Sequence, residues 1–170
     1  MAEADVCPPL IATFENGVVM EFFRGKMLNE KNIAEKVVAR TVARAVAKMH
    51  KNVKLDESEN SADIVRRIGE FIELLPEKFS NREIQNISES LGVCSKSDLM
   101  KELQFATIIL EQQSTPLVFC HNDMLPDNLL YEEDIDHINI IDFEYQSPNP
   151  AAFDIAEHFN EYSGLEVKFK

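Results

Sequence analysis

The sequence predicts an α+β fold, a mostly helical body flanked by short β-hairpins. Three observations carry this reading. An Asn-Gly pair, Asn16-Gly17, joins two short apolar runs near the start. Apolar residues at helical spacing dominate the middle of the chain. After Pro116 the pattern switches to short apolar runs separated by acidic turns.

The elements follow in order. Residues 10–14 and 18–23 are β-branched and aromatic runs, and Asn-Gly favours a tight turn between strands. Arg24-Gly25 ends the second run. A long helix is expected to start at Asn29 or Asn32, because Asn32 with Glu35 three residues on resembles a capping box. Val38, Val42, Ala45, Val46 and Met49 then share one face. Residues 51–60 are polar and read as an exposed loop. Ile64, Ile68, Phe71, Ile72 and Leu75 mark a second helix that Pro76 stops. A third covers 82–91 and closes at Gly92. Ser95 with Asp98 caps a fourth, whose stripe is Leu99, Leu103, Ala106 and Leu110. Residues 117–120 read as a buried strand. Residues 129–131 and 138–143 read as strands around the acidic turn Glu132-Glu133-Asp134, and 151–162 as a last helix.

Composition narrows the function classes. The chain has 170 residues, 45% of them hydrophobic, enough for one domain or one large lobe. Lys plus Arg is 17 against 30 for Asp plus Glu, a net charge of -13. That disfavours nucleic acid and anionic membranes as partners and suits a cationic ligand. The three cysteines, Cys7, Cys94 and Cys120, are widely spaced, which argues against a disulfide scaffold or a zinc site. Cys120 lies in an apolar run and is expected to be a buried thiol. Residues 1–5 are polar and acidic, without the basic start and apolar stretch of a leader. No apolar stretch approaches a membrane span, so a cytoplasmic location is expected.

The chemistry is concentrated in two segments. Val118-Phe119-Cys120-His121-Asn122-Asp123 runs on through Asn128 as H-x-D-x-x-x-x-N, and Ile140-Ile141-Asp142-Phe143-Glu144-Tyr145 follows one short hairpin later. Phosphoryl transfer needs a carboxylate to orient and deprotonate the attacking hydroxyl, and oxygen ligands to hold magnesium on the nucleotide phosphates. A loop with Asp and Asn five residues apart presents both to one cleft, and an Asp after the next hairpin completes the metal site. Asp127 reads as a loop acid and His121 as a structural hydrogen-bonding residue. The protein-kinase signature has this logic in H-R-D-x-x-x-x-N and D-F-G. Asn122 and Glu144 stand where that signature has Arg and Gly, which points to kinase-like small-molecule phosphotransferases.

On these motifs the chain resembles the choline/ethanolamine kinase family. The matching segments are Phe119 to Tyr131, Ile140 to Tyr145, and the stretch Phe153-Asp154-Ile155-Ala156-Glu157-His158-Phe159-Asn160-Glu161-Tyr162. Asn160 to Gly164 resembles the ethanolamine branch. The resemblance implies a protein-kinase-like fold, with residues 1–25 as a remnant of N-terminal lobe strands and hinge and 26–170 as a mostly helical C-terminal lobe. It implies ATP and Mg2+ as cofactors and ethanolamine or choline as acceptor, the first step of the CDP-ethanolamine route to phosphatidylethanolamine. By position, Asp123 would be the catalytic base. Asn128 and Asp142 would bind magnesium, with Glu144 near it. Backbone groups of Glu21, Phe22 and Phe23 would meet the adenine. Tyr145 and Glu161 would face the amino alcohol, and Asp154 would brace the catalytic loop.

The pattern also breaks. A glycine-rich phosphate loop, the strand with its lysine, and the C-terminal tryptophan-bearing helices have no counterpart in the sequence. Glu157 stands where the family pattern has Asn. The resemblance therefore implies a chain truncated at both ends, with the N-terminal lobe largely missing. One competing reading is a catalytically impaired truncated isoform that acts as a non-catalytic partner of a full-length kinase; another, a kinase-like phosphotransferase for a different alcohol such as an aminoglycoside, is disfavoured by Glu144-Tyr145 and by His158 to Glu161. The partners expected are the amino alcohol and, in a dimer, a second copy of the chain or a full-length kinase.

Overall fold

The computed structural model describes residues 6, 8–59, 61–113 and 115–162. Cys7 and the Ser163-Gly164 end of the ethanolamine-like stretch lie outside the described residues. The chain divides into two units, one built from Met1–Ser61 with Pro116–Lys170 and the other from Ala62–Thr115.

In the first unit, β1 (Leu10–Phe14) and β2 (Gly17–Met20) form the expected antiparallel hairpin, with Phe14 opposite Gly17. Glu15 and Asn16 are thus the turn, and Gly17 enters the strand without a positive φ. β2 stops at Met20 rather than Phe23. The Glu21 N–H reaches Pro9 O at 2.9 Å, and Pro8-Pro9 offers no N–H to extend the ladder. A strand not foreseen, β3 (Lys26–Met27), pairs with β5 (Leu129–Glu132), which pairs with β6 (His137–Ile140). Gly25 allows the approach of β3: its φ is +129°, and a Cβ there would lie 3.1 Å from Tyr131 O.

α1 spans Lys36–Asn52, later than its asparagines suggested. Asn32 Oδ1 accepts back from Asn29 N–H at 2.7 Å, and Asn29 Oδ1 accepts from Lys31 N–H. The two side chains close a turn instead of capping a helix. Val38, Val42, Val46 and Met49 are buried as expected, and they pack with Leu28, Phe119, Leu129 and Ile140 into one core. β4 (Leu117–Cys120) pairs with β7 (Ser147–Pro150), a strand that Pro148 and Pro150 had disguised. Each prolyl residue lies on the edge of a two-stranded ladder, where a missing N–H does no harm. β6 ends at Ile140, so the expected strand to Phe143 is cut short. Asp142 turns left-handed at φ 64°, and residues Phe143–Tyr145 form a 3-10 turn. α5 (Ala152–Glu161) follows.

The second unit holds α2 (Ile64–Leu74), α3 (Arg82–Ser90) and α4 (Lys96–Gln112). Leu75 is extended before Pro76. Asn81 Oδ1 caps α3 by accepting from Glu83 N–H at 2.8 Å, and Gly92 closes it at φ +63°. Ser95 Oγ accepts from Asp98 N–H and caps α4 as the sequence suggests. α2 packs on α4 close to Gly69, where an added Cβ would lie 3.5 Å from Leu103. Of the apolar stripes expected on α2 and α4, Ile72 alone is buried. No described helix is long and apolar enough to cross a membrane.

Candidate active site

β4 delivers the chain into a loop that begins at His121 and ends at the 3-10 turn Pro126–Asn128. Asp154, fully buried near the start of α5, holds the entrance of that loop. Its Oδ2 accepts from the His121 N–H at 3.0 Å and its Oδ1 from the Asn122 N–H at 2.8 Å. His50 of α1 adds a bond from Nε2 to Oδ2 at 2.7 Å. Charged acceptors of this kind make strong hydrogen bonds, and burial makes them costly to lose. Asn122 is left-handed at φ 64°, and its side chain ties three segments together. Nδ2 donates to Tyr145 O at 2.8 Å and to Ser147 Oγ at 2.7 Å, while Oδ1 accepts from Asn149 Nδ2 at 2.8 Å.

Asp123 and Asn128 meet. Asn128 Nδ2 donates to Asp123 Oδ2 and to Asp123 O, both at 2.9 Å. Asp123 is half-buried, with one carboxylate oxygen fixed by this bond. The amide is thereby oriented, and Asn128 Oδ1 has no protein partner among the described residues. Asp142 is anchored through its neighbour. Ile141 N–H bonds Asn128 O at 3.0 Å, and His121 Nε2 donates to Ile141 O at 2.8 Å. Both ends of the loop therefore grip the residue before Asp142, whose own side chain is exposed, as are Glu144 and Tyr145. His121 is buried with its ring 4.8 Å from Phe143, a structural part as expected. Asp127 is exposed, as read from the sequence.

The remaining expected residues are placed more loosely. Glu161 is half-buried at the end of α5. Glu21 and Phe22 are exposed and Phe23 is half-buried, in the irregular segment after β2. Cys120 is buried, and burial pushes its thiol well above the usual range. Its sulfur approaches His50 and Asp154, all three ligand atoms lying within 4.8 Å of one another. Both Asp154 oxygens already accept hydrogen bonds, so the trio works as a brace for the loop.

Glu157, marked in the sequence only as a departure from the family pattern, lies against the loop. Glu157 Oε2 accepts from the Met124 N–H at 3.1 Å, directly after Asp123. Burial, reinforced by the charges of Asp123, Asp154 and Glu161, raises its carboxyl to about 7. Its departure from the family pattern was the available signal. His158 donates from Nδ1 to Met124 O at 3.2 Å, and burial lowers its basicity.

A kinase-like loop carrying a clamped Asp-Asn pair, followed by a hairpin and a left-handed Asp, defines the protein-kinase-like class. A family model described as choline/ethanolamine kinase matches residues 1–169, and the chain belongs to that family. It is 35% identical over 159 residues to a probable ethanolamine kinase of Nematostella vectensis, covering 94% of this chain and 45% of that protein. To ethanolamine kinase 1 of Homo sapiens it is 32% identical, covering 93% of this chain and 35% of that protein. The chain thus spans less than half the length of these relatives. Among solved structures, a Plasmodium vivax ethanolamine kinase superposes with a TM-score of 0.80 at 23% identity, covering 98% of this chain and 50% of that one. A choline kinase from Cryptosporidium parvum Iowa II gives 0.69 at 25% identity, over 95% and 48%.

Proposed function

We propose that this chain carries the catalytic half of an ethanolamine kinase, which transfers the γ-phosphoryl group of ATP to the hydroxyl of ethanolamine, with choline as the neighbouring substrate. The observation that carries the reading is the Asn128 clamp on Asp123. It leaves the second carboxylate oxygen of Asp123 to orient the acceptor hydroxyl and take its proton as the phosphorus–oxygen bond forms. The donor set fits magnesium, since Asn128 Oδ1 and the exposed Asp142 carboxylate are hard oxygens without a protein partner among the described residues. Bound there with Glu144 nearby, the ion would neutralise phosphate charge. Backbone groups of Glu21, Phe22 and Phe23 take the adenine. Glu161 faces the ammonium and Tyr145 offers a ring face to it. The phosphoamino alcohol formed in the cytoplasm feeds the CDP-ethanolamine route to phospholipid.

The test is an ATP/magnesium assay on the purified chain, with ethanolamine and choline supplied separately. Phosphoethanolamine is expected from the parent, and Asp123→Ala should lower the rate by roughly 100- to 10,000-fold. A parent rate no higher than that of the variant would instead mark the chain as a non-catalytic partner of a complete kinase.

A further inference from the structure

We infer that Glu157 is a second carboxylate for the ammonium group of the acceptor and selects a primary ammonium over a quaternary one. The inference rests on the amino-alcohol reading above. Glu157 follows Asp154 by three residues and precedes Glu161 by four, so the three share one face of α5. That face meets the catalytic loop at two points. Asp154 holds the N–H groups of His121 and Asn122, and Glu157 Oε2 holds the Met124 N–H at 3.1 Å. Glu157 therefore bonds the residue that follows the proposed base, and the charges of both Asp123 and the proposed ammonium ligand Glu161 reach it.

Its surroundings are those of a carboxylate short of a cation. Glu157 is half-buried, and its second oxygen has no protein partner among the described residues. The charged groups facing it are Asp123 from the loop and Asp154 and Glu161 from its own helix, and each pushes its carboxyl up. The neighbouring His158 is held toward its neutral form by burial and supplies no charge. A primary ammonium brings one positive charge and three N–H donors, as lysine does. One donor can meet Glu157 and another Glu161, in charge-assisted hydrogen bonds. A quaternary ammonium brings the charge without donors, so the Glu157 oxygen would lose water and gain no partner.

Titration calorimetry of the purified chain with ethanolamine and with choline tests this, using buffers of different ionisation heat near pH 7. The parent is expected to prefer ethanolamine and to release a proton on binding it, because the arriving cation lowers the raised carboxyl. Glu157→Gln keeps the acceptor for Met124 and the side-chain volume. It should weaken ethanolamine about tenfold, leave choline within about twofold and abolish the proton release. Glu157→Asp, which keeps the charge one methylene back, should fall between the two. If Glu157→Gln keeps both the preference and the proton release, the role of Glu157 is overturned while the amino-alcohol reading stands. Binding of neither alcohol by the parent would sink both.

Discussion

From β4 to α5 the chain is held by buried polar cross-links, whereas the helices of Ala62–Thr115 rest on partial apolar contact. In the first region Asp154, His121, Asn128 and Asn149 are all buried, and each is hydrogen-bonded to another segment. In the second, Ile72 is the single buried side chain among the described residues, and Phe71, Leu74, Leu91 and Phe105 are exposed. The contrast teaches where precision is required. A loop that aims Asp123 and Asn128 must be placed from several directions at once. Helices that only need to stand beside one another tolerate loose packing.

The contrast can be broken at its strongest point. Asp154→Ala should be the most damaging change, leaving the N–H groups of His121 and Asn122 and the His50 ring without their acceptor. A loss of roughly 3–5 kcal/mol is expected by denaturant titration. A smaller loss than that of an ordinary core truncation would mean the brace is dispensable. Sharpening comes from truncations in the two units. Met49→Ala, at a fully buried position of the α1 core, should cost roughly 2–5 kcal/mol. Phe105→Ala on α4, 63% exposed, should cost under about 0.5 kcal/mol. Thermal midpoints that fell equally for both would show that the second unit is packed more tightly than its exposure indicates.

The same contrast explains what was legible in the sequence. α2, α3 and α4 were readable because Pro76, Gly92 and Ser95 punctuate them locally, and α5 because its pattern is periodic. The Asp123–Asn128 pair was readable because both residues lie in one loop. β3 and β7 were not, since a two-residue strand and a strand with two prolines exist only through their partners β5 and β4. The start of α1 was misplaced because Asn29 and Asn32 satisfy each other before they can cap anything. Glu157 was noticed only as a departure, because its contact with Met124 spans 33 residues of sequence.

The helices of Ala62–Thr115 interrupt the other unit, and this sets the order in which the chain can mature. α1 packs on β4 and β6, yet β4 follows it only after an excursion of more than about 50 residues. A ribosome working at about 5–20 residues per second would keep the apolar face of α1 waiting for several seconds. Over that interval Val38, Val42 and Met49 lie open to a chaperone or to another nascent chain. Protease digestion of stalled nascent chains should find α1 cleavable until β6 has emerged and resistant thereafter. Protection before that point would mean that α1 finds an earlier partner.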